Sequence, residues 1–157
     1  MKTQSHEYHA RLRWEGTRGA GTASYAEYGR SSRISMAGKP DLVGSADPAF
    51  RGDPGLHNPE DLLLAALSSC HMLSYLALCA RKGIAVLEYS DEAHGVMALT
   101  PDGGGHFVSV TLHPQVRIRD QGQRALALEL HAKAHADCFI ASSCNFPVRT
   151  EPRVDGA

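Results

Sequence analysis

A chain of 157 residues has the length of one globular domain, 1–157, and can bury a sizeable core. Sixteen Lys and Arg against seventeen Asp and Glu leave a formal charge of −1; no strongly basic stretch is present to engage phosphates or anionic lipid, which argues against nucleic acid as a partner. With 43% apolar and 21% charged residues the composition is globular and excludes a disordered chain.

The first nine residues, Met1 to His9, are polar and lack the apolar run of a secretory signal, so a cytoplasmic location is expected. In that reducing setting Cys70, Cys79, Cys138 and Cys144 are expected as free thiols with catalytic, redox or ligand roles, not as two structural disulfides.

From residue 6 to 14 the side chains alternate, with Tyr8, Ala10, Leu12 and Trp14 on one face, which predicts a strand. After a glycine turn, Thr22 to Tyr28 and Ser32 to Met36 are candidates for two more. Gly38 to Asn58 is rich in Pro and Gly without a sustained period and reads as a long loop, which contains Arg51.

Asn58-Pro59-Glu60-Asp61 is a helix start: a capping amide, a proline at the first helical position, then carboxylates at the positive end of the dipole. The helix is predicted to reach Arg81 and Lys82 and stop at Gly83. No charge interrupts it between Leu62 and Ala80, so most of its faces must be covered. A membrane span is the competing reading; Ser68, Ser69, His71 and Ser74 and the alternating strands on both sides argue against it.

Beyond it, Ala93 to Leu99, His106 to Leu112 and Val116 to Arg119 are predicted strands, Gln123 to Ser143 a second helix, and Phe146 to Thr150 a last strand. Strands, long helix, strands, helix is an α+β order.

Cys70 lies in the middle of the long helix and Cys138 on the predicted second one, after Ala134-His135. Two such cysteines meet only if their Cα atoms come within about 4.4 to 6.8 Å, which spacing alone does not decide. The surrounding pattern adds to it: Asn58-Pro59-Glu60 with Glu60 ten residues before Cys70, Trp14-Glu15-Gly16 in the first strand, and Phe146-Pro147-Val148 near the end. This pattern resembles the OsmC/Ohr family of thiol peroxidases.

The resemblance implies an α+β OsmC-like fold, with antiparallel sheets around a long central helix, a second cysteine-bearing helix and an intertwined homodimer. It implies reduction of organic hydroperoxides by two cysteines, with Cys70 at the peroxidatic position and Cys138 at the resolving one. Glu60 matches the family's helix-start glutamate, and Arg51, nine residues earlier, matches a loop arginine. A dithiol reductant, lipoyl or other, is implied as a partner; no cofactor, metal, nucleic acid or membrane is.

Physical chemistry says why these residue types are needed. The attacking species is a thiolate, burial disfavours it, and Cys70 stands too far from the helix start for the dipole to help much. A guanidinium at about 4 Å would contribute roughly 4 kcal/mol at an effective dielectric of 20. Glu60 would orient Arg51, and Arg30 and Arg33 are further candidates for that cation. Leu63, Leu67, Met72, Met36, Phe50 and Phe139 are expected to line an apolar approach.

Phe139 stands where the family usually has proline after the second cysteine, Cys144 is an extra thiol, and Cys79 points away from Cys70 into the core. Two rival readings use the same residues. His131, His135 and Cys138 at i, i+4 and i+7 could ligate a metal. Alternatively the fold serves a non-catalytic small-molecule binder.

Overall fold

The computed structural model describes residues 5–156. Two compact units are present, one up to Leu62 and one from Leu63.

In the first unit β1 (Arg11–Trp14), β2 (Ser32–Ser35) and β3 (Leu42–Gly44) form an antiparallel sheet in chain order. Trp14 Nε1 donates to Gly29 O at 2.8 Å. Gly16 is required beside it, because a Cβ there would stand 1.8 Å from Gly29 O.

The strand expected over Thr22 to Tyr28 is a series of turns, entered through Gly19 and Gly21 at φ 41° and 67°. The segment expected as unbroken loop holds β3 and a 3₁₀ turn, Pro48–Phe50, capped by Asp47.

Helix α1 (Pro59–Arg81) starts and stops where expected. Asn58 Oδ1 accepts from Asp61 N–H at 2.8 Å, and Asn58 N–H donates back to Asp61 Oδ2 at 3.2 Å, a reciprocal cap. At the far end Ile84 N–H donates to Cys79 O across Gly83, whose φ of 72° only glycine adopts cheaply.

The second unit holds two mixed sheets. One is ordered β4 (Val86–Asp91), β7 (Pro114–Ile118), β9 (Arg153–Gly156); the other β5 (His94–Leu99), β6 (Gly105–Leu112), β8 (Val148–Thr150). The pairs β4–β7 and β5–β6 are antiparallel as expected, but β8 and β9 join in parallel. Helix α2 (Arg124–Ala136) is shorter than expected; a 3₁₀ turn, Ala141–Ser143, follows it.

Leu67, His71, Tyr75 and Cys79 recur every four residues as the buried stripe of α1. Tyr75 and Cys79 pack with Ile118 of β7, Val154 of β9 and Ala127 and Ala134 of α2, whereas Leu67 packs with Val110 and Leu112 of β6. α1 is long and apolar enough to cross a membrane by length and composition. A stripe that buries a histidine against α2, and a serine bonded to Asp91, mark it as the core helix of a folded domain.

Candidate active site

Cys70 sits half-buried midway along α1, and Cys138 is buried at 1% exposure. Cys138, expected on the second helix, is not helical. It lies two residues beyond α2, in a turn where its N–H donates to His135 O at 3.2 Å and its carbonyl accepts from Ser142 N–H at 3.0 Å. In this turn the Cys138 thiol is near enough to the Cys70 thiol to feel it electrostatically.

All four cysteines are free thiols. Burial pushes the Cys138 thiol up to about 11; the Ala141 N–H, donating to its Sγ at 3.5 Å, works against that rise, and the Cys70 thiol adds to it. Cys144 Sγ donates to Ile140 O at 3.3 Å, and burial raises its pKa also. Cys79 lies wholly in the core, as its spacing predicts.

The candidate charged residues belong to the first unit. Arg51 follows the 3₁₀ turn in the left-handed region at φ 66°, and its Nη2 donates to Ala26 O at 3.4 Å. Glu60 lines a cavity of about 370 Å³ together with Arg30, Ser45, Asp47 and Phe50. Within this unit it is therefore Arg30, not Arg51, that shares a cavity with Glu60.

Arg30 is held rigidly there. Its guanidinium lies 3.9 Å from the centre of the Tyr28 ring and 4.5 Å from that of Tyr25, and it donates to both of those carbonyls. Arg33 is engaged with Glu15 and Asp41. Among the described residues Glu60 has no ion-pair partner.

Of the expected apolar lining, Phe50 joins the Glu60 cavity, Leu63 and Leu67 belong to the core, and Phe139 is 81% exposed. Among the described residues no group of three or more His, Cys, Asp or Glu is arranged to hold a metal. Of the set His131, His135 and Cys138, His131 has its Nδ1 engaged with His71 Nε2 at 3.0 Å.

That histidine pair was not foreseen. His71 and His131 are 0% and 2% exposed, nearly coplanar at 13°, and Tyr75 stacks on His131 with ring centres 3.8 Å apart. Burial lowers the His71 pKa to about 4, with His135 adding to the effect and Asp91 opposing it; burial and His71 lower His131 to about 3.

Residues 52–153 match the OsmC-like protein family. This chain belongs to that family. An OsmC-like protein of unknown function from Vibrio cholerae is 29% identical, with a TM-score of 0.84 over 95% of this chain and 100% of that one.

The organic hydroperoxide resistance protein OsmC of Legionella pneumophila shares the fold at 19% identity, with a TM-score of 0.71 over 98% of this chain and 99% of its own. An organic hydroperoxide resistance protein of Elizabethkingia anophelis does so at 18% identity, with a TM-score of 0.69 and all of both chains covered. The uncharacterized protein YmaD of Bacillus subtilis is 28% identical over 87 residues, 54% of this chain, and the match spans only 57% of YmaD. The OsmC-like fold, α+β with a long central helix, is thus the one expected from the Cys70 and Glu60 pattern.

Proposed function

We propose that this OsmC-like protein reduces organic hydroperoxides through a two-cysteine cycle. The observation that supports it is the adjacency of the Cys70 and Cys138 thiols, one on the central helix and the other buried in the turn after α2. The Cys70 thiolate attacks the outer peroxide oxygen, the O–O bond breaks, and the alkoxide takes a proton and leaves as the alcohol. Cys70 is then a sulfenic acid. Cys138 sulfur attacks it, water leaves, and a disulfide forms. A dithiol such as dihydrolipoamide restores both thiols by exchange and is itself oxidised to its disulfide.

Arg51 and Glu60 take the supporting roles that the family pattern gives them, the arginine favouring the thiolate and the glutamate orienting the arginine. The shared cavity makes Arg30 the rival for the arginine role. We place the protein in the cytoplasm as an intertwined homodimer, the whole chain acting as one domain in peroxide defence, without nucleic acid, membrane or cofactor.

Consumption of cumene hydroperoxide with dihydrolipoamide tests the proposal. Wild type turns over, Cys70→Ser loses activity at least a hundredfold, and Cys138→Ser over-oxidises at Cys70 and stops after a few cycles. Normal turnover by Cys70→Ser would refute it. Arg30→Ala and Arg51→Ala, compared side by side, decide which guanidinium serves.

A further inference from the structure

The buried His71–His131 pair has no part in the cycle above, yet it joins the helix that carries Cys70 to the helix that leads into the Cys138 turn. His71 is the residue after Cys70 on α1; His131 is on α2, whose last turn leads directly to Cys138. We propose that the His71–His131 hydrogen bond is a clasp that holds the resolving thiol within reach of Cys70, making both histidines positioning residues for disulfide closure. This inference rests on the two-cysteine reading.

Three observations carry it. The contact is short, 3.0 Å from His71 Nε2 to His131 Nδ1, and both rings are buried, so water cannot substitute for either partner. Burial keeps both imidazoles neutral, so one nitrogen donates and the other accepts, and a single shared proton fixes both tautomers. Tyr75 covers one face of the His131 ring at 3.8 Å and limits its rotation.

Around this bond Tyr75 and Cys79 of α1 pack in one apolar cluster with small residues of α2, Ala127 and Ala134. Such contacts are non-directional and permit sliding. A buried hydrogen bond between ring nitrogens sets one register.

Disulfide closure needs that register. The cysteines must approach with Cα atoms within about 4.4 to 6.8 Å and with S–S geometry allowed, and a turn that swings freely lowers the effective concentration of the second thiol. Peroxide attack involves only Cys70 sulfur and does not need it. The clasp therefore acts on the second step and leaves the first alone.

The test is a single turnover with one equivalent of cumene hydroperoxide, following alcohol release for the first step and loss of free thiols for the second. His131→Phe keeps a ring but removes the bond, and His71→Leu removes it from the other side. His131→Asn keeps a hydrogen-bonding atom near the place of Nδ1.

In the first two variants alcohol release stays within about twofold of wild type, while disulfide formation slows tenfold or more and dimedone captures the sulfenic acid at Cys70. His131→Asn recovers most of the closure rate. Closure at the wild-type rate in His131→Phe, an equal fall in both steps, or failure of the asparagine to rescue would overturn the clasp. Wild type that releases alcohol without ever linking Cys70 to Cys138 would instead overturn the two-cysteine reading, and the clasp with it.

A readout on the unaltered protein covers variants that do not fold. The imidazole proton between the rings must exchange with solvent slowly enough to give an NMR resonance coupled to a histidine ring nitrogen. Rapid exchange at neutral pH would exclude a closed clasp.

Discussion

Ser68 Oγ donates to Asp91 Oδ2 at 2.5 Å, while the other oxygen of the same carboxylate accepts from His113 N–H at 2.7 Å. One half-buried carboxylate thereby ties the turn of α1 that precedes Cys70 to the end of β4 and to the β6–β7 connection. Hydrogen bonds to charged groups contribute about 1.5 to 3 kcal/mol. Ser68→Ala is expected to lower the unfolding free energy by about 1 to 2 kcal/mol, and Asp91→Ala, which strands two donors, by about 2 to 4 kcal/mol. Urea denaturation checks both. Equal losses in the two variants would mean that the His113 amide bond contributes nothing.

The histidine pair sets a pH dependence whose sign follows from the direction of its shifts. Folding lowers the two pKa values from 6.5 to about 4 for His71 and about 3 for His131, so below pH 6.5 the unfolded chain binds protons that the folded one refuses. The stabilisation is complete above pH 6.5 and is lost as pH falls toward 4. Between pH 7 and 5 the loss from the pair is on the order of 2 to 4 kcal/mol. Urea midpoints for wild type and for His71→Gln/His131→Asn at both pH values measure it. The double variant is expected to lose clearly less stability on acidification, and an unchanged loss would contradict the assignment.

Cys138 should be a slow nucleophile in the reduced protein. A thiol pushed up to about 11 by burial is almost wholly protonated at pH 8, so its alkylation by iodoacetamide is expected more than a hundredfold slower than in the urea-unfolded chain. The rate should climb nearly tenfold per pH unit between pH 8 and 10, read by peptide mass spectrometry. A plateau by pH 9 would place the thiolate in a more favourable setting than the burial of Cys138 allows.

What was legible beforehand is what local chemistry encodes. The limits of α1 follow from Asn58, Pro59 and Gly83, each acting within one turn of itself. The family was legible because Glu60 and Cys70 keep a fixed spacing on that helix. β4 was missed because a register shift between Val86 and Glu88 breaks the alternation that identifies a strand. β3, three residues long, is too short to show a period, and β9, four residues long, owes its existence to a distant partner, β7.

The end of α2 was overrun for a different reason: neither glycine nor proline marks the stop at Ala136. Lys133 and Asp137 make an i, i+4 ion pair across the exit, which reads locally as continuing helix.

The histidine pair was hidden by range, since its members are sixty positions apart and face each other only when α1 and α2 pack. Spacing drew attention to His131 and His135 on one helix face as metal ligands, whereas the partner of His131 stood on the other helix. Arg30 was visible as a candidate. In the Glu60 cavity it is held by Tyr25 and Tyr28, in a run of turns that had been a strand candidate.

The central claim is that the sulfurs of Cys70 and Cys138 react with each other, and peptide mapping asks this directly. Reduced protein is treated with one equivalent of cumene hydroperoxide, quenched with iodoacetamide, digested without reductant, and every cysteine peptide is identified by mass. The account predicts one dominant cross-link, Cys70 to Cys138, with Cys79 and Cys144 recovered as alkylated thiols. A dominant link from Cys70 to Cys144, or a Cys70 sulfenic acid that persists beside an untouched Cys138, would contradict it.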